Sequence, residues 1–452
     1  MDIHIALAVD IVLLLASLWC VLQISERSIF NPVLWYVALH ASTVTLRLIT
    51  LNRGSLSLSV FGIQSDMELV NAAIASDISL LAAVAATILV AQRTRRQGDG
   101  NSAVRVRLSP RVGWVISIFS LTIGTYALLK FGTAATAIAR TRGADISAIN
   151  IGRFDESSYP IWISGFAIQG ALIQCALRGF TRWRVVVLMI LLAASAFNAR
   201  TVFVLASAMA FLIYQTRRNQ SSIPVKWALG LVVLGLVWFV FKPVGAAIIL
   251  GESAEDVWAT AQNYFADSVD NNASSDTQFL DMQATYMAAA DEAGRRFHGA
   301  TVLPLLYLPI PRFVWPEKPP LNMYGPELST SSRMMAQVGM TPLLSGESYL
   351  NFGWAGCAVI PFLYVLGMQM GYRSVRGCGI NSAARWVYLI YLISMVQIFR
   401  DGLNALILYP VMQYFPLLSW AVISRMVPPQ RAVQVSRLKP RYITPAESER
   451  SS

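Results

Sequence analysis

Charge is what this chain has least of. Only 13% of its 452 residues are Asp, Glu, Lys or Arg, where a soluble domain carries roughly a quarter. With 55% hydrophobic residues and a mean hydropathy of +0.52, that deficit excludes a soluble globular protein and sets the class as an integral membrane protein. Cysteines are few as well. Cys20, Cys175, Cys357 and Cys378 show no paired spacing, and none falls in a segment expected outside the membrane, so neither a disulfide framework nor a cysteine metal cluster is expected. The sequence has no Gly-rich phosphate loop, no HExxH and no GxSxG. No cofactor and no metal are therefore expected. The N-terminus lacks a basic stretch ahead of its first apolar run, with only Asp2 and His4 there, and reads as a retained helix, not a cleaved signal.

What is present is a long series of apolar runs. A bilayer core needs about 20 apolar residues per helix. Candidate spans are 3–24, 30–51, 69–92, 111–131, 159–177, 185–199, 201–215, 227–245, 349–371, 385–399 and 403–424. The expected fold is an all-α polytopic bundle of about eleven spans. It divides into a first bundle (1–245), a large outer loop (246–348), three last spans (349–424) and a basic tail (425–452) rich in Pro, Ser and Arg, expected to be disordered. The net charge of +11 raises nucleic acid as a partner. Its distribution argues against that, because the basic residues sit in short connections between apolar runs, as the orientation signal of membrane proteins does. Arg93, Arg95, Arg96, Arg105, Arg107 and Arg111 mark one connection; Arg178, Arg182 and Arg184, Arg217, Arg218 and Lys226, and Arg373, Arg376 and Arg385 mark others. Alternating spans place them all on one face, expected to be cytoplasmic. The N-terminus and the loops 132–158 and 246–348 are then periplasmic, and the C-terminus cytoplasmic.

The large loop divides by charge. Residues 246–294 hold acidic residues and no basic one and read as solvated helix, with Ala-rich 284–294 helical. The acids Asp267, Asp270, Asp276 and Asp281 read as a solvated face, a divalent-cation site being the alternative. Residues 299–311 are apolar but too short and Pro-broken to span, and are expected to dip into the interface or dock on the bundle.

Several residues are candidates for chemistry. Arg200 turns a hairpin of two short spans and is expected at or below the outer surface, as a functional cation or as a snorkelling side chain on lipid phosphate. Arg140, Arg142 and Arg153 in one outer loop, and Arg312, Lys318 and Arg333 in the other, form an outer cationic set that reads either as phosphate contacts, for which arginine is suited bidentately, or as ordinary surface charges. Prolines 309, 311, 316, 319 and 320 stiffen the chain around Arg312. Glu347 follows Gly346 at the mouth of span 349–371, and reads either as a helix cap or as a general base. His298 is a further acid–base candidate. Trp315 and Tyr349 read as sugar-stacking platforms or as interface anchors. Asp10, Arg47 and Asp77 are expected to form an interhelical ion cluster at one depth, structural or on a proton path.

Two runs carry a resemblance. Pro-Arg-Phe-Val-Trp-Pro-Glu-Lys-Pro-Pro (311–320) and Ser-Gly-Glu-Ser-Tyr-Leu-Asn-Phe-Gly-Trp-Ala-Gly (345–356) resemble the Wzy-type O-antigen and oligosaccharide repeat-unit polymerases of bacteria, and the hairpin at Arg200 looks like that family's Arg-bearing turn. Where such polymerases often place small Gly or Ser residues before the Arg, this chain has Asn198-Ala199. The resemblance implies a metal-independent glycosyltransferase of the inner membrane that joins undecaprenyl-pyrophosphate-linked glycans into a surface polysaccharide, with a chain-length regulator as a further partner. It implies Arg200, Arg312 and Arg333 on the pyrophosphate, Arg142, Arg153 and Lys318 as additional contacts, and Glu347 as base. No DxD-type metal pair stands at a span exit, which counts against metal-dependent lipid-linked transferases. The alternatives are an O-antigen ligase and a non-enzymatic flippase or transporter for lipid-linked sugar.

Overall fold

A computed structural model describes residues 2–24, 27–53, 63, 65–97, 107–132, 163–196, 200–221, 279–307, 310, 342–403 and 405–426, with 255, 258, 259, 262, 315 and 317 as single positions. Among them the protein is all-helical. In chain order the helices that build the body are α1 (Ile3–Ile24), α2 (Pro32–His40), α3 (Leu46–Arg53), α4 (Asp66–Gln97), α5 (Pro110–Ala127), α6 (Phe166–Arg178), α7 (Arg182–Ala196), α8 (Arg200–Arg217), α9 (Phe279–Glu292), the single turn α10 (Pro304–Tyr307), α11 (Leu344–Val375), α12 (Ala383–Asp401) and α13 (Phe415–Met426). Five stretches are long and apolar enough to cross a membrane: α1, Pro32–Asn52, Asp66–Arg93, Pro110–Lys130 and α11. A sixth is a pair, Ala405–Gln413 with α13, bent by 79°. Of the eleven expected spans, 227–245 lies outside the described residues.

The middle of the bundle is α4, which carries no Gly or Pro in 32 residues, has Asp66 and Glu68 in its first turn, and ends in Arg93, Arg95 and Arg96. Both ends therefore match the helix dipole. Its Ala72, Ala73, Ala75, Ala83 and Ala86 are buried. Such small side chains let α11 lie close along it, which is how helices associate in lipid. A second close crossing joins α5 to α6, where a Cβ on Gly170 would meet the Ser117 carbonyl at 2.7 Å. α2 and α3 are joined by a π turn, Ala41–Thr45.

The basic connections gather on one rim. The Leu108 N–H donates to the Asn381 carbonyl (2.7 Å) and the Ile29 N–H to the Ser221 carbonyl (2.9 Å). Arg373 donates to the Val90 carbonyl (2.7 Å), and Arg217 to the Ala176 carbonyl. The opposite rim holds the start of α11, the end of α12 and α9. The loop helix α9 departs from expectation. It is helical, but Leu280 through Met287, Ala289 and Ala290 are all buried, because this Ala- and Met-rich helix packs on α4 and α11 and does not present a solvated face.

Candidate functional site

The site is built on an interruption of α11. Its first two turns, Leu344–Asn351, are buried at every residue. The backbone then leaves helical geometry at Phe352 (φ −138°, ψ 16°) and Gly353 (φ 62°, ψ −151°) before continuing to Val375. A positive φ of this kind costs a glycine little. Breaking a helix leaves carbonyls without their usual partners. Here the outer segment supplies them: the Phe297 N–H donates to the Leu350 carbonyl (3.0 Å) and the His298 N–H to the Asn351 carbonyl (3.1 Å). His298 itself takes φ 49°, and its side chain is exposed.

Asn351 completes the junction. Its Nδ2 donates to Thr301 Oγ1 (2.8 Å) and to the Glu347 carbonyl (2.9 Å), and its Oδ1 accepts from the Gly299 N–H (2.8 Å). Glu347 is fully buried. Its Oε1 accepts from the Thr301 hydroxyl (2.6 Å) and its Oε2 from the Leu403 N–H (2.5 Å). It thus ties the outer segment, α11 and the turn after α12 together. That turn passes through Gly402 at φ 78°, and a Cβ there would collide with the Glu347 carboxylate. The helix cap position of α11 is Leu343, so Glu347 is bonded across elements and does not cap its own helix.

Other side chains pack around this knot, among them Tyr349, which is only 4% exposed. The Tyr349 hydroxyl donates to Asp291 (3.0 and 2.9 Å to its two oxygens). Its ring stands edge-on to Trp354 at 5.1 Å and beneath the Arg296 guanidinium at 4.6 Å. Arg296 also pairs with Asp291 at 2.6 Å. Trp315 is 39% exposed and stands edge-on to Tyr307 at 6.0 Å. The structure therefore brings Glu347, Tyr349 and His298 onto one junction. Arg200 is the first residue of α8, and the connection 197–199 from α7 lies outside the described residues; so do the Arg200 side chain and Arg140, Arg142, Arg153, Arg312, Lys318 and Arg333. Sequence reasoning missed Thr301, Asn351 and Leu403 as partners of Glu347, and Asp291 and Arg296 as the outward ion pair. Asn351 was visible inside the 345–356 motif; the others had no local signal.

The expected cluster of Asp10, Arg47 and Asp77 is corrected. Asp10 and Asp77 instead flank His40, at 2.7 and 3.4 Å from its Nε2. All three are buried, and their ligand atoms lie within 4.8 Å of one another, the one set with metal-ligand chemistry among the described residues. Arg47 turns elsewhere. Its Nε and Nη2 donate to the two oxygens of Asp281 at 2.7 and 2.9 Å. Asp281 is 1% exposed, so the solvated reading of that acid fails: α9 carries it into the bundle as the counter-ion of a buried arginine. Comparison of the chain with models of protein families, with curated proteins and with solved structures returned no match.

Proposed function

We propose that this protein polymerises undecaprenyl-pyrophosphate-linked oligosaccharide repeat units into a surface polysaccharide at the periplasmic face of the bacterial inner membrane. The 311–320 and 345–356 runs motivate the reading. The observation that carries it is the second run folded as a built junction, in which outer segment 297–301 closes the broken end of α11. A loop clamped in this way to membrane helices can hold a lipid-linked substrate at fixed depth. In the reaction, a terminal hydroxyl of the acceptor unit attacks the anomeric carbon of the donor. The bond from that carbon to the pyrophosphate oxygen breaks, undecaprenyl pyrophosphate leaves, and the hydroxyl proton passes to a base. Negative charge grows on the pyrophosphate, and fixed guanidinium groups stabilise such charge without reorganising. Arg200, Arg312 and Arg333 take that role, with Arg142, Arg153 and Lys318 beside them. Glu347 enters as a positioning residue. A base must touch the sugar hydroxyl, and this carboxylate is fully buried with both oxygens bonded.

Deleting the gene in the bacterium that carries it tests the reading. Surface glycan should collapse to single repeat units on a gel. Long polymer left on the lipid carrier would make the protein a ligase, and units retained inside would make it a flippase. At residue level, Arg312→Ala should abolish polymer while the protein still inserts, and Arg312→Lys should restore little. Full-length polymer from the Ala variant at normal expression removes Arg312 from the site.

A further inference from the structure

The far end of α11 carries a second site. A cavity of about 590 Å³ opens on the basic rim, between the segment that leads into α2, the end of α8 and the connection from α11 to α12. Arg27, Arg376 and Arg385 line it, with Ser28, Asn219 and Gln220 adding hydroxyl and amide groups. No carboxylate is among its described lining residues. Arg385 decides its chemistry. The residue is only 4% exposed, its Nε is buried without a hydrogen-bond partner, and no described carboxylate pairs with it. The Phe30 ring lies 3.9 Å beneath the guanidinium. A cation–π contact returns less than burying an ion costs. The contrast with Arg47, buried to the same degree and fully matched by Asp281, shows what is missing: an anion.

We propose that this cavity binds a phosphate-bearing anion, seated against Arg385 and closed at its mouth by Arg27 and Arg376. Arginine's planar fork suits phosphate oxygens bidentately, and three such groups with neutral donors outmatch what a single carboxylate would need. The ligand is the headgroup of an anionic phospholipid or a soluble phosphate ester; basic pockets between helices on the cytoplasmic side take headgroups of this kind. The site lies at the opposite end of α11 from Glu347 and stands independently of the reading above.

The test is a thermal shift of the full-length chain in neutral detergent at constant ionic strength, with chloride as the control. Phosphatidylglycerol is titrated in one arm and inorganic phosphate in the other. Saturable stabilisation on the order of 2–4 °C by phosphatidylglycerol alone assigns a lipid headgroup, and by phosphate alone or both an anion site open to soluble esters. Arg385→Gln should abolish the shift. In case that variant fails to fold, the double variant Arg27→Gln, Arg376→Gln, altered only at the exposed mouth, should weaken the apparent affinity at least tenfold. No shift in either arm, or an undiminished shift in the variants, overturns the proposal.

Discussion

The two ends of α11 handle polar groups in opposite ways. At the Glu347 end, two carboxylate oxygens, a hydroxyl, a side-chain amide and the carbonyls of a broken helix find partners within the protein. At the Arg385 end, a guanidinium nearly as deep has a ring below it and, among the described residues, no carboxylate. Buried polar groups are normally satisfied, so the first end is a fixed junction and the second, on our proposal, is a socket for an anion. Depth alone does not distinguish them; the inventory of partners does.

That contrast can be broken experimentally, beginning with the matched pair that calibrates it. Asp281→Ala strands Arg47 in the bundle and should cost about 3–5 kcal/mol, measured as unfolding by SDS titration in mixed micelles. The double variant Arg47→Met, Asp281→Leu should recover most of it. If the single variant is mild, α9 is not docked as described. Glu347→Leu comes next. It removes two charge-assisted bonds and leaves the Leu403 N–H buried without its acceptor, a loss of about 2–4 kcal/mol that the same titration reads. Glu347→Gln should cost under about 1.5 kcal/mol, because the amide oxygen can accept from Leu403 and the amide nitrogen can donate to Thr301 Oγ1. It also separates roles: a positioning residue tolerates Gln and the variant still makes polymer, while a general base does not. The smallest effect is expected at the socket. With no ligand present, Arg385→Gln should leave stability unchanged or raise it, because it removes an unpaired buried charge, in sharp contrast to Asp281→Ala. A loss of 3 kcal/mol or more there would mean that the chain itself pairs Arg385.

Much of the fold was legible in the sequence because lipid permits few structures. Apolar runs of span length and clustered arginines were enough to anticipate an all-helical membrane bundle with its basic connections on one rim. The break between two short helices near Arg200 was also readable, α7 ending at Ala196 and α8 beginning at Arg200. Partners were another matter. Asp281 lies 234 residues from Arg47, and nothing local marks it as buried. Its acidic neighbours in sequence suggested water. His40 was silent for the opposite reason, as a single histidine inside an apolar run. Glu347 was located at the right helix mouth, but its depth depends on the outer segment that closes over it. The cavity at Arg385 was invisible, because its lining comes from segments hundreds of residues apart.

The π turn at Ala41–Thr45 has a consequence for what kinds of sequence change this protein tolerates. A continuous α-helix comes back to nearly the same direction after seven residues, and His40 and Arg47 are seven apart. The extra residue held in the π turn swings them apart, one toward two acids of the bundle and the other toward α9. Deleting a single codon within the turn would remove the extra residue and straighten the helix while leaving the two side chains pointing as they do now, because six residues of α-helix turn through the same angle as seven with the π turn. In this span, then, a one-residue deletion at the turn preserves which ion meets which, while a one-residue insertion swings the guanidinium away from Asp281.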